Sequence, residues 1–271
     1  DAPVMAKLRE FKAVVVDEVH EVAAQTRMRV MLALDTAYYR IGFSATPFGR
    51  SDGRNEFTIG AVGPQVFEVT APEMIELGRV AKPIIRFVPF EHKTVRSPGI
   101  SHKWETIYKR GIVDNKERNQ LIMDILDVAP KPALIFAERI KHGLHLTELV
   151  QKRGYHTKFV SGEMPLSTAE EHIKALDKNI LDVIVTNKVM NAGVSIPNLA
   201  SVIIASAGKA TIATVQRLGR PMRRPDGKDQ CEYWDVYDKN EFENQAKVRI
   251  ADLKKEGHDV SVVTLDQFRN A

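Results

Sequence analysis

The chain has 271 residues, 44% hydrophobic and 27% charged, so it can bury a sizeable core, and its length favours two ordinary domains over one large one. The single cysteine, Cys231, excludes an internal disulfide or a Cys-rich zinc module, and no apolar run or cationic-then-apolar leader indicates a membrane span or secretion. The excess of 39 Lys+Arg over 35 Asp+Glu, with a pI near 9.0, permits a polyanionic partner without requiring one, and the composition reads as soluble and intracellular.

Taken in chain order, Ala13-Val14-Val15-Val16 and Tyr39-Arg40-Ile41-Gly42-Phe43 are short apolar runs on either side of a helix-like stretch from Val22 to Leu34. Such runs predict strands buried on both faces. Ile84-Ile85-Arg86-Phe87-Val88 predicts a further strand. The segment from Pro89 to Gly99, rich in proline and charge and without a period, reads as a linker, which sets a first domain at 1–88 and a connection at 89–115.

From 116 to 240 strand and helix alternate. Ala133-Leu134-Ile135-Phe136, Thr157 to Val160, Asp182 to Thr186, Ser201 to Ala205 and Tyr233 to Tyr237 are the predicted strands. A helix stops at Gly154, another starts at Ser167 with Glu170 completing a capping box, and a third covers Thr211 to Leu218. The tail, 241–271, is polar and opens as a helix. This rhythm predicts an α/β protein with two parallel-sheet domains, and no 20–50-residue repeat interrupts it.

Asp17 and Glu18 directly follow an apolar strand, so both carboxylates emerge at the edge where parallel sheets place ligands. There, one acid can hold the water shell of Mg²⁺ and its neighbour can orient or deprotonate an attacking water. Read without their context, the pair is equally a polar helix start. Ser44 and Thr46 end the next strand and can relay hydrogen bonds, or simply open a turn before Pro47. Gln216-Arg217-Leu218-Gly219-Arg220-Pro221-Met222-Arg223-Arg224 concentrates arginines, either as a solvated basic face or as guanidinium groups aimed at developing phosphate charge. His142 and His145, three apart on a predicted helix, lack the further ligands that a metal site needs.

In order and spacing these segments resemble the motor core of the superfamily 2 helicases of the DExH-box kind. Asp17-Glu18-Val19-His20 is similar to motif II, Ser44-Ala45-Thr46 to motif III, Ala133 to Arg139 to motif IV, Val185-Thr186-Asn187 through Gly193 to Leu199 to motif V, and Gln216 to Arg223 to motif VI. Gly42 to Gly53, followed by Ile59-Gly60-Ala61-Val62-Gly63-Pro64, is similar to the branch holding the repair and transcription helicases and the phage recombination helicases. The resemblance runs from Phe11 to Asp238 and implies two RecA-like domains with ATP and Mg²⁺ in the cleft between them.

Carried over residue by residue, it implies Mg²⁺ held through water by Asp17 and Glu18 and catalysis by Asp17, Glu18, His20, Gln216, Arg220 and Arg223. It implies coupling through Ser44 and Thr46, with His20 bridging to Gln216. Nucleotide contacts fall to Gly193, Ser195, Arg220 and Arg223, and contacts to the nucleic-acid backbone to Arg139, Gly162, Thr186 and Asn187. The implied partner is single-stranded or branched DNA, with RNA second, bound by a cytoplasmic, nucleoid-associated monomer of a bacterium or a phage-infected cell. The implied activity is unwinding, branch migration or translocation.

Two departures stand against the family pattern. Where the branch carries an acidic pair around the motif V glycine, this chain has Ala192-Gly193-Val194-Ser195, and a serine can hydrogen-bond a ribose but carries no charge. No Gly-x-x-x-x-Gly-Lys-Ser/Thr phosphate loop occurs; Ala207-Gly208-Lys209-Ala210-Thr211 is a partial likeness only. The expectation is therefore a motor whose first domain continues upstream and a chain that alone hydrolyses ATP poorly. The alternatives are the motor subunit of a restriction or defence system, or a catalytically silent nucleic-acid-binding module that uses Arg139, Lys188 and the basic surface.

Overall fold

The computed structural model describes residues 2–45, 47–48, 53–93, 103–187, 196–208, 219, 221–223, 225 and 227–269. The chain divides into two compact units, Asp1–Val69 and Thr70–Ala271.

In the first unit, β1 (Ala13–Asp17) and β2 (Tyr39–Phe43) pair in parallel, with Asp17 opposite Phe43. They are joined through a 3-10 turn, Val19–Ala23, and a helix, Gln25–Ala33. Val19, Val22, Met31, Leu34, Ala37 and Ala61 form the core, with Val14 and Val16 packed against it. Strand side chains alternate between faces, and among the described residues only one face of this ribbon is covered. Val15 is 64% exposed and Phe43 59%. The expectation of strands buried on both faces is thus corrected here, because an all-valine run carries no mark of which face is open.

Two local features fix the end of this ribbon. Arg40 donates to the Ala37 carbonyl and to the helix-terminal carbonyls of Met31, Leu34 and Ala61. Gly42 lies so close to Val19 that a Cβ would come within 2.6 Å of its Cγ2. A side chain there would displace Val19, one residue after Glu18.

The second unit holds a seven-stranded, all-parallel sheet. Its strands are β3 (Lys82–Phe90), β4 (Ala133–Phe136), β5 (Thr157–Val160), β6 (Val183–Thr186), β7 (Ser201–Ile204), β8 (Gln230–Asp238) and β9 (Val260–Val262), in the order β5-β6-β4-β7-β8-β3-β9. Every residue of β4, β6 and β7 is buried, as helices on both faces require. One face packs around Phe87, Leu134, Phe136, Ile184 and Tyr233, the other around Ile125, Ile135, Val185, Ile203 and Trp234.

The boundary expected at 88/89 moves to 69/70. Ile84 to Val88 does not close the first domain; it lies in β3, which pairs with β8 over nine residues and includes Pro89 and Phe90. A hydrophobic run shows that a strand forms, but its partner lies far along the chain. The tail is also part of the fold, since the helix Glu243–Lys255 buries Ala246, Arg249 and Leu253, and β9 extends the sheet beyond β3.

The helix Ile140–Lys152 stops as expected at Gly154, whose φ is 88°. The helix Leu166–Asp177 does not start at a Ser167 cap. Pro165 sits at its N-cap with φ −52°, and its carbonyl accepts from Ala169, which places Ser167 inside the first turn. No helix among the described residues is long and apolar enough to cross a membrane.

Candidate functional site

At the end of β1 the backbone of Glu18 turns into the left-handed region, φ 51° and ψ 52°, and its N–H donates to Asp17 Oδ1 at 2.9 Å. For a non-glycine residue this conformation costs about 1–2 kcal/mol. The following 3-10 turn buries His20, 5% exposed, whose Nδ1 shares a 2.9 Å hydrogen bond with Ser44 Oγ just past β2. Glu18 Oε2 lies 3.3 Å from the same nitrogen. The structure therefore brings together Asp17, Glu18, His20 and Ser44, four side chains from two adjacent strand ends.

Among the described residues no set of three or more His, Cys, Asp and Glu side chains is placed to hold a metal ion directly. A Mg²⁺ that keeps most of its waters fits better than a caged ion, because it needs only one or two carboxylates. Glu18 Oε2 is buried and makes no hydrogen bond among the described residues, but it is paired with His20 Nδ1 at 3.3 Å.

In the second unit the C-terminal ends of β4, β5 and β6 carry the residues expected to meet nucleic acid. Asn187 Oδ1 accepts from the Gly162 N–H at 3.1 Å, tying the β5 and β6 ends together. Arg139 occupies the position before the helix Ile140–Lys152, with its guanidinium 5.8 Å from the Tyr108 ring centre. Thr186, 1% exposed, lies beneath this edge, whereas Arg139 is exposed and Asn187 half-buried. Arg223 is exposed, and its backbone bridges to Val80. Thr46, Gly193, Ser195, Gln216 and Arg220 lie outside the described residues, as does Lys188.

Beneath the same sheet edge are charged pairs that sequence reasoning missed. Arg118 donates from Nε and Nη2 to both oxygens of Asp238, at 2.7 and 2.9 Å, and from Nη1 to the Ala205 carbonyl at 2.6 Å. His92 Nε2 shares a 2.7 Å hydrogen bond with Asp238. Burial opposes charge on Asp238, but Arg118 and His92 outweigh it and bring its pKa down to about 2. Arg249 grips Asp235 with Nε and Nη2, at 2.8 and 2.9 Å, and donates to the Gly208 carbonyl at 2.9 Å. Tyr108 Oη donates to Glu138 and accepts from the Ala207 N–H. Three side chains thus fix residues 205–208, which leave β7 at the ligand-binding edge.

His142 is a structural residue. Its Nε2 shares a 2.8 Å hydrogen bond with Asn119 Oδ1, while Asn119 Nδ2 donates to the Val113 carbonyl. Burial, then the Arg118 charge, lowers its pKa to about 3, so it is neutral in the fold. Because the folded pKa lies below the ordinary 6.5, the unfolded chain binds more protons between these values, and stability falls as pH drops through that window. Replacing His142 by Gln should flatten this limb of the urea-midpoint curve between about pH 6 and 4. An unchanged limb would place the titration elsewhere.

Residues 117–225 match the helicase conserved C-terminal domain, and residues 5–49 match the type III restriction enzyme res subunit. A protein named as helicase 22 of Sulfolobus islandicus filamentous virus is 28% identical over 257 residues, which are 90% of this chain and 45% of that protein. The chain is therefore similar to helicases over residues 117–225 and, in this viral relative, over 90% of its length.

A second relative, named as the DNA 3'-5' helicase Rad25 of Halobacterium salinarum, is 26% identical over 92% of this chain and 40% of its own length. The chain therefore spans less than half of either relative. Among solved structures, S. cerevisiae Dbp5 bound to RNA and ADP BeF3 superposes with a TM-score of 0.65 at 14% identity, covering 99% of this chain and 65% of that one. This likeness shows the RecA-like α/β fold alone. The two family matches contain Asp17, Glu18, His20 and Ser44 on one side, and Arg139, Gly162, Thr186, Asn187 and Arg223 on the other.

Proposed function

We propose that this chain carries the water-activating half of an ATPase site and the nucleic-acid-gripping edge of a DNA helicase or translocase. The observation that carries the reading is the joining of Asp17, Glu18, His20 and Ser44 at two neighbouring strand ends, with the Glu18 backbone left-handed and its Oε2 3.3 Å from His20 Nδ1. Bound Mg-ATP supplies the phosphoryl group and the cation that neutralises its charge. Asp17 holds water in the cation's shell. Glu18 takes a proton from the attacking water, and His20 and Ser44 hold the carboxylate's surroundings and relay its state. By the resemblance, Arg220 and Arg223 are the guanidinium groups that would answer charge on a phosphate.

The edge formed by Arg139, Gly162 and Asn187 grips the backbone without reading bases. DNA is favoured by the name of the Rad25 relative, whereas Dbp5 was solved with RNA. The match of residues 5–49 to a restriction subunit supports a second reading, translocation along duplex without strand separation. Lacking a Gly-Lys-Ser/Thr phosphate loop in its 271 residues, the chain by itself should turn over ATP poorly.

The test compares nucleic-acid-stimulated ATP hydrolysis by the protein as its organism makes it with that of Glu18→Gln. Turnover should fall by about 100-fold or more, and single-stranded DNA should stimulate the wild type more than RNA. Equal activity in the two proteins would remove Glu18 from the chemistry. Absent turnover in both would leave the silent binding module.

A further inference from the structure

Lys228 belongs to none of the segments that resemble helicase motifs, yet its ammonium sits among four backbone carbonyls. Nζ lies 2.6 Å from Leu199 O, 2.6 Å from Pro221 O, 3.0 Å from Arg223 O and 3.1 Å from Pro197 O. An ammonium has three N–H groups, so the four acceptors share them at convergent angles. A compact point charge can do this, and a planar guanidinium cannot.

The carbonyls come from two turns that are anchored separately. The turn at 197–199 is tied to the end of the helix Leu166–Asp177, because Asn198 donates from its backbone and side chain to Asp177 at 3.0 and 2.9 Å. The turn at 221–223 is tied to the segment leading into β3, through Ala81 N–H to Met222 O at 2.7 Å and the Val80–Arg223 bridge. Lys228 joins the first turn, which ends motif V, to the second, which ends motif VI.

We infer that Lys228 is a positioning residue that locks the backbone of Arg223 to the turn at 197–199, so that the motif V and motif VI ends move as one piece. This rests on the proposed motor reading for its functional consequence, but not for the link itself. Half-burial of the ammonium lowers its pKa, with Cys231 and Asp177 acting the other way, so the four carbonyls, and not an ion pair, are its main partners.

The experiment has two arms. Hydrogen exchange on Lys228→Met should show the Ala81 amide, whose acceptor is Met222 O, exchanging at least about tenfold faster while β4 and β6 amides keep their rates. In ATP hydrolysis by the complete natural protein, Lys228→Met should lower kcat by about tenfold with KM for ATP within about twofold, and Lys228→Arg should not restore it. In an Arg223→Ala background the same substitution should have no further effect on kcat.

An unchanged Ala81 rate overturns the link. A loss that multiplies with Arg223→Ala reports a smaller folded fraction and overturns the positioning role. A wild type without turnover sinks the motor reading, and the exchange arm then still decides the link. Should Lys228→Met fail to fold, Lys228→Gln is read in both arms by the same criteria.

Discussion

Replacing Glu18 by glycine should make the first unit more stable and the protein inactive. Glu18 holds φ 51° and ψ 52°, a conformation open to glycine at no steric cost. Relief of the left-handed penalty, set against the greater freedom of glycine in the unfolded chain, leaves a gain of about 1 kcal/mol. The same change removes the carboxylate that lies 3.3 Å from His20 Nδ1, and with it general-base assistance worth about 10²–10⁴ in rate. Glu18→Gln separates the two effects, since it loses the base but keeps the strained backbone. Stability is read from exchange of the β1–β2 ladder amides, and turnover from phosphate release. If the glycine variant is less stable than the glutamine variant, the strain is absent. If either keeps wild-type turnover, the carboxylate is not the base. A residue held in a costly conformation, with a carboxylate oxygen buried beside a histidine, is what a site selected for chemistry at the expense of stability looks like.

What could be read from the sequence depended on how local each cause was. The strands at Ala133–Phe136, Thr157–Val160 and Tyr39–Phe43 have the predicted limits, because a short β-rich run bounded by turn residues fixes both its type and its ends. The burial of Val15 and Phe43 could not be read, since it depends on what covers the ribbon. Nor could the sheet to which Ile84–Val88 belongs, which is decided by pairing with β8. Asp17, Glu18, His20 and Ser44 were legible because all lie at, or within three residues of, the ends of two strands that are visible as apolar runs. Arg118 and Lys228 were not, as their partners lie as far as 120 and 31 residues away. One signal was present: Asp235 and Asp238 stand in an otherwise largely apolar strand, and buried carboxylates require cations. The search for those cations leads to Arg249 and Arg118.

Arg118→Met should cost about 3–5 kcal/mol, because it leaves Asp238 buried with His92 as its remaining side-chain partner and takes a donor from Ala205 O. Both tryptophans, Trp104 and Trp234, lie in the second unit, so the fluorescence midpoint in urea reports this loss without interference from the first. The pH dependence carries the sign. With a folded pKa of about 2 against an ordinary 3.8, the wild-type pair contributes stability that is present above about pH 4 and lost as pH falls toward 2. Without Arg118, burial dominates and the carboxyl prefers its proton, so acid should relieve the variant while weakening the wild type. The gap between them should narrow by about 2 kcal/mol or more from pH 6 to pH 3. A double variant, Arg118→Met with Asp238→Leu, should lose less than Arg118→Met alone, since it leaves no unpaired buried charge. A single-variant loss below about 1 kcal/mol, or a gap independent of pH, would show that Asp238 draws its charge compensation elsewhere. The larger loss would mark Arg118 as the buried cation that supports the β7 exit, from which residues 205–208 run along the sheet's ligand-binding edge.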